Sequence, residues 1–166
     1  DGLGLDAAGI RFDRRGIIVN RSQRTSNRRV YAVGDVAGGP QFTHVASYQA
    51  GIVLRHALFR LPAKANPDIY PRVTFTEPEV AHVGLSEDEA RSRHGKRIAV
   101  MRWPYSENDR AQAERATEGF VKVIATANGR ILGASILGAH AGELIQPWAL
   151  AITAGLGMKA MADTIV

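Results

Sequence analysis

The chain has 166 residues, 45% hydrophobic and 22% charged, with 21 Lys and Arg against 16 Asp and Glu for a formal net charge of +5. This length and balance describe a globular protein of one domain or parts of two. With no cysteine at all, thiolate chemistry, disulfides and Cys-based metal sites within the chain are excluded.

No run approaches the roughly 18 apolar residues of a membrane span. No charged-then-apolar leader opens the chain, and we expect a cytoplasmic protein that binds no membrane. The histidines at 44, 56, 82, 94 and 140 are scattered. None forms a tight ligand pair with another, so no metal is expected. Arg21, Arg24, Arg28 and Arg29 lie close together. A basic cluster can bind phosphates or nucleic acid, but no aromatic residues interleave with it and no nucleic-acid motif accompanies it. We read a solvated basic loop and expect no nucleic-acid partner.

In chain order, "RGIIVN" at 15–20 is short and β-branched, and reads as a strand. The polar "RSQRTSNR" is a loop, and "RVYAV" at 29–33 is a second strand. That strand stops at Gly34-Asp35, followed by a turn at Gly38, Gly39 and Pro40. From 43 to 60 the pattern is helical: Val45, Ile52 and Phe59 recur every seven residues, and Thr43 is a candidate cap. Ala46, Ser47, Ala50 and Gly51 give this helix a smooth face suited to close approach by a sheet or ligand.

Three prolines in "LPAKANPDIYP" mark a linker. Beyond it, "RVTFT", "VAHVGLS", "RIAVMRW", "GFVKVIAT" and "RILGASILG" read as strands, the last two joined by a hairpin turn at "ANG". "SEDEARSRHG" reads as a helix with Ser86 as N-cap, Glu89 as its capping-box partner and Gly95 as stop. "HAGELIQPWALAITAGLG" reads as one helix ending at Gly155, with Pro147 bending its first turns. A short helix starts at "MKAMADTI". The fold class is therefore α+β, an antiparallel sheet with helices. The boundaries are 1–63, a linker at 64–71, and 72–166, with the first segment too poor in strands to stand alone.

"RTSNRRVYAVGDVAGGPQFTHVASYQAG" resembles the second flavin-binding segment of the FAD-dependent pyridine nucleotide–disulfide oxidoreductases. "FTEPEVAHVGLSEDEA", "NDRAQAERATEGFVKVI" and "ILGASILGAHAGELIQPWALAI" look like successive pieces of that family's C-terminal dimerisation domain. These motifs are collinear and cover nearly the whole chain. "PQF" and "GELIQ" lean toward the mercuric reductase-like branch without fixing a substrate.

The resemblance implies a parent enzyme that passes electrons from NAD(P)H through FAD to a disulfide or related acceptor. Residues 1–63 would then be the end of the nicotinamide domain and the closing segment of the FAD domain, and 72–166 a dimerisation domain cut short at its C-terminus. Asp35 would accept a hydrogen bond from a hydroxyl of the flavin's ribityl chain, and Gly34 would let backbone approach it. The backbone N–H groups at Phe42, Thr43 and His44 would face the pyrimidine edge of the isoalloxazine. No residue of the chain is assigned as catalytic. FAD and NAD(P)H would belong to the full-length parent, with FAD absent from the fragment and no turnover in it. The implied partner is a second copy, through 72–166. Trp148 falls at that interface or in the core beneath it, Arg110 and Arg115 are candidates for subunit ion pairs, and His82 and His140 read as packing or interface residues. The alternative is a self-associating module that takes no cofactor.

Overall fold

The computed structural model describes residues 2–165. The backbone divides into two compact units, 1–67 and 68–166.

In the first unit a tight hairpin pairs β1 (Phe12–Asp13) with β2 (Gly16–Ile17). The strand expected over 15–20 is thus only two residues long. Ile10, Ile17 and Ala32 form a small buried cluster beside it. The strand expected over 29–33 does not form a ladder: Tyr31 alone bridges Arg24. The N–H of Val30 is spent on the carbonyl of Asn27, 2.9 Å away, and that of Ala32 reaches the carbonyl of Gln23. The donor of Val30 is thus used in a local turn, and strand pairing is confined to the one bridge, closed by the Ala32 bond and by the N–H of Thr25 on the carbonyl of Val30. The basic loop is also partly structural: Arg21 Nε donates to the carbonyl of Ala65 at 2.9 Å, and Arg24 donates to the hydroxyl of Tyr31 at 2.8 Å.

The first helix, α1, runs Thr43–Ala57. It buries Val45, Gln49 and Ile52, the i, i+4, i+7 stripe of an amphipathic helix. Ile52 packs with Ala63 and Ala65, and Tyr48 leans on the same cluster. Thr43 is not its cap. The cap position belongs to Phe42, whose backbone is extended and whose side chain makes no capping bond. Gly51 faces open space, so of the small residues on this helix it is Ala46 that makes a close approach, to Gly34.

The second unit is a five-stranded sheet, antiparallel throughout, of β3 (Arg72–Thr74), β4 (Glu79–Gly84), β5 (Ile98–Pro104), β6 (Phe120–Thr126) and β7 (Ile131–Gly138), in the order β3-β4-β7-β6-β5. Alternation along the central strands sends Ala81, Val83, Val123, Ala134 and Ile136 to one face. There α4 (Ala141–Leu144) and α5 (Gln146–Ala154) cover them, contributing Ile145 from the junction and Ala151. The opposite face carries Ile124 and Leu132, packed under Leu85 and Ala90 of α2 (Glu87–His94) and its lead-in. Two short helices complete the unit, α3 (Asp109–Glu114) and α6 (Met158–Ala162).

The capping box of α2 forms as its sequence requires. Ser86 Oγ accepts from the N–H of Glu89, and Glu89 Oε2 accepts from the N–H of Ser86 at 2.8 Å. These bonds hold the Glu89 carboxyl below its ordinary range. The helix expected across "HAGELIQPWALAITAGLG" is instead two, divided at Ile145. Pro147 has no N–H to give the carbonyl of Glu143, so the ladder breaks there and proline opens the second helix, where its missing donor costs nothing.

Glu79 holds this arrangement together. Its Oε2 accepts from the N–H of Gly142, 2.9 Å away, so β4 supplies the anion for the first turn of α4. Replacing Glu79 by Ala removes a charge-assisted bond and leaves that N–H short of an acceptor. We expect a loss of about 2 kcal/mol in urea unfolding, with Gln, which keeps an acceptor, losing less. Equal stability of the Ala variant would contradict this role.

Candidate functional site

The sequence points to Gly34, Asp35, Phe42, Thr43 and His44 as one site, and all five lie in the first unit. Val33 is extended, with φ −136° and ψ 157°, and the chain then reverses into a one-turn 3-10 helix, Gly34–Ala37. Gly34 makes the reversal with φ 70°, in the left-handed region that a side chain disfavours. A Cβ there would also come within 3.1 Å of the Ala46 methyl of α1. The N–H of Gly34 is buried and donates to Gln49 Oε1 at 2.7 Å. Thus α1 seats the turn by one methyl contact and one hydrogen bond, from residues three apart on the same helix face.

Asp35 follows directly. It does not close a paired strand, as the sequence suggested; it sits in the first turn of the 3-10 helix, exposed to solvent. Its carboxylate has no hydrogen bond or ion pair among the described residues. An acidic group held on a seated backbone turn, with both oxygens unused, is a ready acceptor for a donor brought by a ligand.

Phe42, Thr43 and His44 form the entry to α1. The N–H groups of Val45 and Ala46 turn back to the carbonyl of Phe42, at 3.0 and 3.1 Å. The N–H of Phe42 donates to the carbonyl of Pro40 at 3.1 Å, and Thr43 begins the first turn, at the positive end of the helix. The rings of Phe42 and His44 stack, with centroids 5.3 Å apart and planes 27° from parallel. Phe42 is half-buried, and Thr43 and His44 are exposed. Sequence reasoning missed Gln49. A polar residue on the buried stripe of an amphipathic helix was the available signal.

His56 and His82 are engaged elsewhere. Tyr31 Oη lies 3.1 Å from His56 Nδ1. In the second unit, His82 Nε2 lies 3.0 Å from the carbonyl of Gly84 and Nδ1 lies 2.8 Å from Ser135 Oγ. A carbonyl only accepts, so Nε2 carries the proton, and Nδ1 accepts from the serine hydroxyl. Burial pushes the His82 pKa below its ordinary 6.5, and Arg72 and Lys122 add to the depression. The folded state therefore resists protonation more than the unfolded chain. The stability tied to neutral His82 is complete above pH about 6.5 and is lost as pH falls through the lower folded-state value. Urea unfolding of His82→Gln should lose this part of the acid dependence, and an unchanged pH profile would refute it. Among the described residues, no group of three His, Asp or Glu side chains is placed to hold a metal.

The second unit presents apolar surface. Leu144, Pro147 and Leu150 recur at three-residue spacing along α4 and α5 and are exposed, Leu150 at 66%. Trp148 is half-buried and packs against the core below. Nearby, a groove of about 490 Å³ is lined by Trp103, Tyr105, Leu144, Trp148 and Met161, among others. The hydroxyl of Tyr105 donates to the carbonyl of Ala139 at 3.1 Å, and burial raises its pKa. Arg110 pairs with Glu114 of its own helix, while Arg115 ends that helix with φ 57°. No described helix is long and apolar enough to cross a membrane.

Comparison with known proteins accounts for both units. Residues 70–166 match the family model "pyridine nucleotide-disulphide oxidoreductase, dimerisation domain", and residues 1–50 match "pyridine nucleotide-disulphide oxidoreductase". Mercuric reductase from Bacillus cereus is 37% identical over 165 residues, which is 98% of this chain and 26% of that protein. Dihydrolipoyl dehydrogenase from Geobacillus stearothermophilus is 38% identical over 167 residues, 99% of this chain and 35% of that protein. The chain thus spans about a quarter to a third of these relatives' length. Among solved structures, LpdA from Mycobacterium tuberculosis superposes with TM-score 0.90 at 29% identity, covering 100% of this chain and 36% of that one. The HOCl-induced flavoprotein disulfide reductase RclA from Escherichia coli superposes with TM-score 0.83 at 30% identity, covering 100% and 39%. With both units matched in order, and the larger match spanning more than half of its residues, the chain belongs to the pyridine nucleotide–disulphide oxidoreductase family.

Proposed function

We propose that this chain is the closing flavin segment and dimerisation domain of a longer flavoprotein, one that moves electrons from NAD(P)H through FAD to a disulfide or related acceptor. Residues 1–63 complete the nucleotide-binding part, 64–71 are the linker, and 72–166 bring two subunits together. The observation that carries this is the unpartnered carboxylate of Asp35 on a turn seated against α1, within the stretch that matches the oxidoreductase model.

The residues present fit FAD. Asp35 offers a charged acceptor for a hydroxyl of the ribityl chain, and Gly34, buried against α1, makes the turn that carries it. The entry of α1, at Phe42, Thr43 and His44, offers a positive helix end to the pyrimidine edge. A helix N-terminus carries about half a unit of positive charge. Placed there, it favours the negative charge that the edge acquires on reduction, and so raises the reduction potential. FAD, when bound, supplies the redox chemistry; the chain's own residues bind it, orient it and tune it.

Catalysis is not assigned to any residue here. NAD(P)H-dependent dye reduction by the isolated chain should stay at the background of a protein-free control, with or without added FAD. Robust turnover would overturn the reading. Self-association without cofactor is the second reading, favoured by the exposed apolar stripe of Leu144, Pro147 and Leu150.

A further inference from the structure

We propose that Gln49 is the positioning residue for Asp35, fixing its carboxylate relative to the N-terminus of α1; the proposal rests on the flavin reading above. Gln49 is one of the few buried polar residues, 5% exposed, on the stripe of α1 that otherwise buries Val45 and Ile52. A helix has no packing reason to place an amide there. Its Oε1 accepts from the N–H of Gly34 at 2.7 Å. That N–H belongs to the residue immediately before Asp35, at the point where extended Val33 gives way to the 3-10 turn. A buried N–H there needs an acceptor, and no backbone carbonyl among the described residues provides one.

The bond matters because of what each end carries. Gly34 leads into the acceptor carboxylate, and Gln49 stands on the helix whose first turn holds Thr43 and His44. One hydrogen bond, with the Ala46 contact one turn earlier, therefore ties the two flavin-facing features to a single rigid element. Without it, the 3-10 turn keeps its fold but the aspartate samples a wider arc. Gln49 touches no ligand; it acts through Asp35.

A double-mutant cycle tests this, using FAD dissociation constants of the flavin-loaded full-length protein together with unfolding midpoints of the apo forms. Gln49→Met keeps the volume and removes the acceptor. We expect an FAD dissociation constant about tenfold higher. Combined with Asp35→Ala, the same substitution should add almost nothing, because the group it positions is gone. An equal loss in both backgrounds would make Gln49 a general structural residue and overturn the proposal. So would undiminished FAD affinity in Q49M. If Q49M fails to fold, Gln49→Asn, which withdraws the amide by one carbon, is read in the same cycle. Full FAD affinity in Asp35→Ala alone would instead strike the flavin reading itself, so the two failures are distinguishable.

Discussion

Replacing Asp35 by Ala is expected to weaken FAD retention in the full-length protein by about 10- to 150-fold. The range follows from the roughly 1.5–3 kcal/mol carried by a hydrogen bond to a charged acceptor. The carboxylate is exposed in the chain and has no partner among the described residues, so its removal breaks no internal bond. The apo unfolding midpoint should hardly move, since surface changes away from special features stay within about 0.5 kcal/mol. That separation gives the test its force. A loss of flavin with an unchanged fold identifies a ligand contact. Asp35→Asn should fall between, because the amide keeps an acceptor oxygen but loses the charge. If the Ala variant holds FAD as tightly as the parent, measured by equilibrium dialysis and flavin fluorescence, Asp35 does not bind the cofactor.

Leu150→Arg, by contrast, should raise the dissociation constant for self-association by at least about tenfold, the scale of a substitution that buries an unpaired charge at a contact centre. Leu150 is 66% exposed in the single chain, and Leu144 and Pro147 before it are exposed as well. Exposed apolar side chains clustered on α4 and α5 make this face the expected contact. Because Leu150 contributes little to the core beneath, the unfolding midpoint at low concentration should stay put. Trp148 does not allow so clean a test, since it packs against the buried cluster that includes Ile145 and Ala151. Sedimentation velocity over a range of concentrations reads the result. An unchanged association constant would move the contact surface elsewhere on the unit.

Much of the second unit was legible in its residues. Alternating apolar positions in "VAHVG", "FVKVIA" and "ILGASIL" mark strands whether or not their partners are known. The capping box of Ser86 and Glu89 and the stop at Gly95 close within one or two turns of chain, so composition and spacing suffice to reveal them. The segment at 29–33 misled for the opposite reason. Its β-branched residues satisfy a strand propensity, yet a strand exists only by pairing, and here pairing stops at the single Arg24–Tyr31 bridge because Val30 spends its donor on the turn at Asn27. Pro147 was seen as a bend and proved to be a division, because a missing N–H removes a rung outright.

From the sequence alone came the family's motifs, the α+β class, both ends of α2 and the candidacy of Gly34, Asp35, Phe42, Thr43 and His44. These depend on local chemistry: periodicity, capping and backbone freedom act over a few residues. Only the tertiary structure decided that Gln49 anchors Gly34, that Glu79 serves the first turn of α4 from 63 residues away, and that Ser135 faces His82 from 53 away. Such pairings carry no signature in spacing. They arise when packing brings a buried donor to the one acceptor that can satisfy it.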